Sequence, residues 1–373
     1  MRRAAGALIL LHDRGREGDH RGPRLGTVNS LAWPAPVRRR KGLAVPTTTI
    51  VLPTLNERAY VTDCLTSLLA QEGADITEIL VVDGGSTDGT RELVEAFGAP
   101  VRLIENPRVT AAAAMNIGID ASTGSVICRA DAHTVYARDY VRRCVQVLVE
   151  TGADNVGGRM QAVGENRFAR AVAAVTSSPY GVGPAKFHYA TGRHDVDTVY
   201  LGCWRRETLE ALGGYDESRL QWAAEDQELN WRIRQGGGRI VLDSSIRSWY
   251  FPRATPRALA RQYANYGVAK ASTLAKHGGL PTLRPLAPAA LVAATVALGV
   301  GGRRPWLRVA VPASHAAACG WLAIRLGREP GVAPHRAFAA LAICHWSYGF
   351  GFWRGMSRVI GGRRFENQPR GHR

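Results

Sequence analysis

Glu78-Ile79-Leu80-Val81-Val82-Asp83 runs straight into Gly84-Gly85-Ser86-Thr87-Asp88-Gly89-Thr90. An unbroken apolar run, halted by glycines and followed from Thr90 to Phe97 by a helical stretch, reads as a strand buried on both faces that feeds a helix. The same order recurs on either side. Upstream, Thr47-Thr48-Thr49-Ile50-Val51-Leu52-Pro53 is a β-branched run ended by proline, and residues 61–71 place Val61, Cys64, Leu65, Leu68 and Leu69 at helical spacing. Downstream, Val101-Arg102-Leu103-Ile104 is a third strand, residues 111–118 form a helix closed near Gly124, and Ser125-Val126-Ile127-Cys128 is a fourth strand. Strand and helix alternating at this rhythm predict an α/β fold, a parallel sheet with helices on both faces. The glycines do not fit G-x-G-x-x-G, so a dinucleotide fold is not indicated.

The chain has 373 residues, a formal net charge of +17 and 46% hydrophobic content, enough for a sizeable core. The charge is uneven: +7 over residues 1–46, −1 over 47–282 and +11 over 283–373. A near-neutral centre between basic flanks disfavours nucleic acid as a partner and suits a domain whose ends meet a membrane. Residues 1–46, rich in arginine, glycine and proline, are expected to be a disordered basic tail. The six cysteines (Cys64, Cys128, Cys144, Cys203, Cys319, Cys344) form no C-x-x-C pair and no zinc spacing. They read as core or helix residues of a reducing compartment.

Ligands of an open α/β sheet bind beyond the carboxyl ends of its strands, so the residues that follow the strands are the candidates. Arg129-Ala130-Asp131-Ala132-His133 follows the fourth strand. A carboxylate and an imidazole two residues apart point the same way and can share one divalent cation. Asp83 can accept hydrogen bonds from a planar heterocycle while the glycines after it let the backbone approach a ligand, although an ordinary tight turn uses the same residues. The second half carries Gly202-Cys203-Trp204-Arg205-Arg206, Gly213-Gly214-Tyr215-Asp216-Glu217 and a helix opening with Glu225-Asp226-Gln227-Glu228 and running on through Arg232. Acids at a helix start also serve simply as partners of the helix dipole.

With these pieces in place the chain resembles the family-2 glycosyltransferases of the GT-A fold, in the membrane-associated branch that builds exopolysaccharides of the succinoglycan type. The matching stretches are Pro53-Thr54-Leu55-Asn56-Glu57, residues 81–90, Asp131-Ala132-His133, and Glu225-Asp226-Gln227-Glu228-Leu229 followed by Arg232. The resemblance implies a mixed, mainly parallel sheet flanked by helices over residues 47–282. It assigns Asp83, Gly84 and Ser86 to the nucleotide sugar, with Asp83 on the base. Pro53, Thr54, Asn56 and Glu57 would line the nucleotide pocket, Glu57 near base or ribose. Asp131 and His133 stand where an Asp-x-Asp pair would hold ribose and a diphosphate-bound metal, Mn2+ or Mg2+. Asp226 falls at the catalytic base with Glu225 beside it, and Trp204, Arg205 and Arg232 are assigned to the acceptor side. Two positions depart from the pattern, Gly84 and His133, and imidazole suits manganese better than magnesium.

The activity so implied is inverting transfer from a nucleotide diphosphate sugar, with a UDP-sugar expected, to a lipid-linked or growing polysaccharide acceptor. The two departures raise an alternative, a catalytically inactive nucleotide-sugar-binding or scaffold subunit of a polysaccharide assembly complex. Beyond the catalytic part, residues 256–276 read as an amphipathic helix lying at a membrane surface or over the active site. Residues 286–300, 309–324 and 337–353 are apolar runs at or just under spanning length, separated by arginines and closed by an aromatic belt from Trp346 to Trp353. Nucleotide sugars are made in the cytoplasm and the basic tail prefers that side, so the expectation is a cell-membrane protein with a cytoplasmic catalytic domain and two crossings.

Overall fold

The computed structural model describes residues 46–183, 185–217, 225–278, 283–302 and 304–361. The basic segment 1–45 and the arginines after residue 361, on which the disordered-tail and tail-charge expectations fall, lie outside the described residues. The chain begins β1 (Thr47–Thr54), α1 (Val61–Leu69), β2 (Asp75–Asp83), α2 (Thr90–Glu95), β3 (Val101–Glu105), α3 (Ala111–Ala121) and β4 (Val126–Arg129). It continues with β5 (Thr134–Tyr136), α4 (Tyr140–Thr151), β6 (Asn155–Ala162), α5 (Arg167–Thr176), α6 (Pro179–Val182), β7 (Arg193–Asp195), β8 (Tyr200–Arg205) and α7 (Arg206–Ala211). Then come α8 (Glu225–Gln235), β9 (Ile240–Tyr250), α9 (Pro256–His277), α10 (Ala287–Gly301), α11 (Pro305–Leu326) and α12 (Pro334–Ile360).

Among the described residues the strands form one sheet in the order β3-β2-β1-β4-β8-β6-β9-β5, with β7 on β9. The first four strands are mutually parallel, β8 is antiparallel to both of its neighbours, and β9 runs parallel to β6. Successive side chains of β1 and β2 point to opposite faces of the sheet, and both faces are apolar. Ile50, Leu52, Ile79 and Val81 turn to one face against Val61, Leu65 and Leu68 of α1 and Leu148 of α4. Val51, Leu80, Val82 and Ile127 turn to the other, against Met115 and Ile119 of α3 and Leu229 and Ile233 of α8. Each such aliphatic side chain contributes about 1.5–3 kcal/mol on burial, so both faces must be covered. Glu78 is buried at the amino end of β2, where its Oε1 accepts from Thr49 Oγ1 (3.0 Å) and from the Thr123 amide and hydroxyl (2.7 Å each), while Arg102 donates to Oε2 (2.8 Å).

The three apolar runs of the carboxy-terminal third are all helical. One apolar cluster joins Val172 and Val175 of α5 and Leu259 of α9 to Cys319 and Leu322 of α11 and Leu341 and Cys344 of α12. The division drawn by charge at residue 283 is therefore not a break in packing. Helix α12 lies along α9, and a Cβ on Gly351 would collide with the Ala264 carbonyl, so glycine sets how closely the two axes approach. Among the described residues α11 alone is long and apolar enough to cross a membrane, against the two crossings expected. The difference lies in α12, whose Ala337, Leu341, Cys344 and Phe352 face protein instead.

Candidate active site

The carboxyl ends of β1, β2 and β4 lie side by side, with Thr54 opposite Asp83 in the ladder. The loops that leave β1 and β2 are stitched together. The Asn56 amide donates to Ser86 Oγ (2.8 Å), the Thr87 amide returns a bond to Asn56 Oδ1 (2.9 Å), and the Glu57 amide donates to Thr90 Oγ1 (2.9 Å). Thr54 is buried and its hydroxyl donates to the Leu52 carbonyl. Asn56, Ser86 and Thr54 thus hold the two loops to each other and to their strands, and half-buried Pro53 lies beside them.

Asp83 departs from its expected role. Its side chain has no exposed surface, and its carboxylate accepts from the Gly85 amide (2.9 Å), the Ser86 amide (2.8 Å) and the Ser86 hydroxyl. A group with its lone pairs committed to its own turn shapes that turn, so direct contact with a base is corrected to a positioning role. Gly84 has a local cause as well: a Cβ there would stand 3.2 Å from the Val109 carbonyl oxygen, tighter than ordinary packing.

Asp131 and His133 sit on the short connection from β4 to β5. The Asp131 amide donates to Tyr136 Oη (2.8 Å) and the Cys64 thiol to the Asp131 carbonyl (3.5 Å), which fixes the backbone of the triplet. His133 Nδ1 is buried, has no hydrogen-bond partner, and lies 3.5 Å from Glu57 Oε1. Tyr250 sets its edge 5.3 Å from the His133 ring and feels the charges of both Asp131 and Glu57. Glu57, expected at base or ribose, instead faces the imidazole. An orphaned imidazole nitrogen with a carboxylate 3.5 Å away is a donor pair of the kind a manganese-class cation takes, while the Asp131 carboxylate turns toward Arg129.

Arg129 ties this group to the second half of the chain. Its Nη1 donates to Glu225 Oε1 (2.9 Å) and its Nε approaches Asp131 Oδ1 (3.4 Å). Burial works against the guanidinium charge, but Asp131 and Glu225 more than offset it and hold it well above its usual range. Asp226 follows Glu225 in the first turn of α8. Burial, then the charge of Glu225, raises its carboxyl to about 6 against the opposing pull of Arg129. Sequence reasoning gave Arg129 no part, and its signal was only its place ahead of Asp-x-His.

Helix α9 packs mainly along α12 and reaches α8 through two lysines. Lys270 Nζ donates to Gln227 Oε1 (2.5 Å), and Lys276 Nζ bridges Glu228 and Asp216 at 2.5 Å each. Burial pulls the Lys270 ammonium down, while the nearby charges of Asp226 and Asp197 hold it up.

Two of the three acceptor-side assignments do not stand. Trp204 is fully buried beside the Tyr215 ring (centroids 6.3 Å apart), a core residue of the α3/α8 face. Arg205 donates to the Leu148 and Ala153 carbonyls and closes the end of α4. Arg232 donates to Glu228 and to the Leu212 (2.6 Å) and Gly214 (2.7 Å) carbonyls while lining a cavity with Asn116, Tyr215, Asp216, Glu217 and Lys276. Apolar and basic residues near a candidate helix are as easily structural, as Trp204 and Arg205 show.

Against known proteins, the family model described as "Glycosyl transferase family 2" matches residues 49–199. The chain is 34% identical over 315 residues to the succinoglycan biosynthesis protein ExoA of Rhizobium meliloti (strain 1021), spanning 82% of this chain and 93% of that one. It is 25% identical over 239 residues to a dolichyl N-acetyl-glucosaminyl phosphate diacetamido-dideoxy-glucuronosyltransferase of Methanococcus voltae, covering 61% of this chain and 74% of that one. Among solved structures it is similar to the mannosyltransferase PcManGT of Pyrobaculum calidifontis, described in complex with GDP-Man and Mn2+. The TM-score is 0.51 at 22% identity, over 86% of this chain and 89% of the other. At that identity the likeness is one of fold, the GT-A arrangement.

Proposed function

Because the chain belongs to glycosyl transferase family 2, we propose that it transfers a sugar, with inversion, from a nucleoside diphosphate sugar to a lipid-linked or growing polysaccharide acceptor at a membrane. The observation that carries the mechanism is the line of groups Asp131, Arg129, Glu225, Asp226, in which one end suits the departing diphosphate and the other suits an incoming alcohol.

Asp226 is the general base. A carboxylate held near neutrality is matched to taking a proton from an acceptor hydroxyl as its oxygen bonds to C1. The bond from C1 to the phosphate oxygen breaks in the same displacement, which inverts the anomeric carbon. Asp131 and His133, with Glu57 beside them, would hold a divalent cation, Mn2+ or Mg2+. When bound it supplies Lewis-acid neutralisation of the departing diphosphate. Arg129 is a positioning residue that keeps Asp131 and Glu225 in register. The donor loops are those that leave β1 and β2, and a UDP-sugar remains the expected class. The relative in Rhizobium meliloti is named for succinoglycan biosynthesis and that in Methanococcus voltae for a dolichyl phosphate acceptor, which supports a saccharide acceptor carried on lipid.

Membrane association rests on the exposed apolar side chains Val296 and Val300 of α10, Trp306, Val309, Trp321 and Ile324 of α11, and Phe350 and Trp353 of α12. The catalytic domain is assigned to the cytoplasm, where the donors are made. The retained base and cation donors favour transfer over the inactive-scaffold alternative. The deciding experiment incubates the purified full chain with a panel of nucleotide sugars and saccharide lipids, with and without Mn2+ or Mg2+. Metal-dependent release of nucleoside diphosphate is expected with at least one donor, and Asp226→Asn should abolish it while nucleotide-sugar binding persists. Binding without release under every condition would favour the scaffold.

A further inference from the structure

His315 and Cys319 stand four residues apart on α11, so they share a face, and that face meets His345 of α12. His315 Nε2 lies 3.0 Å from His345 Nδ1 and 3.4 Å from Cys319 Sγ, and Cys319 Sγ lies 4.0 Å from His345 Nδ1. Ligand atoms around a tetrahedral zinc, bound at about 2.0–2.1 Å through nitrogen and about 2.3 Å through sulfur, sit about 3.4–3.6 Å apart. The three observed separations straddle that range. All three candidate ligand atoms fall within 4.8 Å of one another, and the ions that carry this donor set are of the zinc class.

The surroundings are ordered as well: the ring of Trp346 stands edge-on to that of His315, with centroids 5.7 Å apart. Moreover, α11 is the helix with membrane-spanning length and composition, where a thiol and two imidazoles on neighbouring helices are costly to keep without a task. Cysteine spacing could not show this group, since two of its three members are histidines and one belongs to another helix.

We propose that His315, Cys319 and His345 form a second metal site that binds one zinc-class ion as thiolate and two neutral imidazoles. The ion clamps α11 to α12, and its fourth position stays open to water. This site uses none of the residues of the reaction centre and does not depend on the transferase reading.

The test uses the full chain in detergent, stripped of metal, with His133→Ala added so that the reaction centre cannot bind. Zinc alone is titrated against a chromophoric chelator, and cobalt serves as the optical probe. Expected are one tight zinc per chain, a thiolate-to-cobalt charge-transfer band in the near ultraviolet, and tetrahedral visible bands. Cys319→Ser should remove the charge-transfer band, and His315→Gln and His345→Gln should each weaken zinc more than about tenfold. Cys344→Ser, next to His345 in sequence but outside the triplet, should leave both readouts unchanged. If the three groups merely hydrogen-bond one another, the parent chain shows no charge-transfer band and the substitutions do not move zinc affinity, and the proposal fails. Because the spectrum of the parent chain is enough to overturn the proposal, misfolding of a variant does not protect it.

Discussion

At the scale of single residues, Asp226 as the proposed base links chemistry to stability. Its folded carboxyl titrates at about 6 against an ordinary value of 3.8, so the folded state prefers the neutral acid. The stability this lends is full below the ordinary value and lost as pH rises through about 6. A shift of this size corresponds to at most about 3 kcal/mol. Asp226→Asn mimics the neutral acid. In metal-free protein it should therefore melt above the parent at pH 8 and level with it near pH 4, while transfer is lost; equal melting at pH 8 would mean the carboxylate is not held in a costly place. In the parent chain, kcat/KM should fall on the acid side with a midpoint near 6, since only the ionised group accepts a proton. Trp204 gives the opposite pattern. It is wholly buried, so Trp204→Ala should cost about 3–5 kcal/mol in denaturant unfolding, and what protein remains folded should keep its KM for the acceptor. A changed acceptor KM at unchanged stability would return it to the acceptor side.

Among elements, α9 joins the helix that carries the base to the carboxy-terminal helices. The Lys270 ammonium on α9 is pulled down by burial and held up by the charge of Asp226. By reciprocity the ammonium favours the ionised aspartate. Lys270→Met should then move the acid limb of kcat/KM to higher pH, and an unmoved limb would detach α9 from the chemistry. The strands and helices of residues 47–151 were legible in the sequence because periodicity there is set by burial on both sheet faces, as Ile50 against Val51 shows. The place of Asp131 and His133 just past the end of β4 was legible for the same reason. What was not legible depends on contacts distant in sequence: the commitment of Arg205 to the end of α4, the link from Arg129 to Glu225 across 96 positions, and the facing of Glu57 to His133. Contacts of that kind leave no periodic trace, so Trp204 and Arg205 could be assigned to a ligand although the fold commits both elsewhere.

For the whole molecule, the question is whether the carboxy-terminal helices are an anchor added to a finished domain or part of its core. The apolar cluster shared by α5, α9, α11 and α12 favours the second, because Leu259 and Val172 are covered by Leu322, Leu341 and Cys344. At about 25 cal/mol per Å2 of apolar surface, uncovering several such side chains at once costs more than a domain of this size holds in reserve. Gly351 tests the packing without deleting anything, since any side chain there drives α12 off the Ala264 carbonyl of α9. Gly351→Leu should lower the melting temperature of the full chain in detergent and expose α9 to hydrogen exchange. It should also reduce transfer, because α9 holds Lys270 and Lys276 over α8. An anchor that merely tethers would respond differently: Gly351→Leu would loosen attachment to vesicles while melting and detergent-phase transfer stayed at the level of the parent. The two outcomes are read in the same preparation, by exchange at residues 256–276 and by flotation with lipid vesicles.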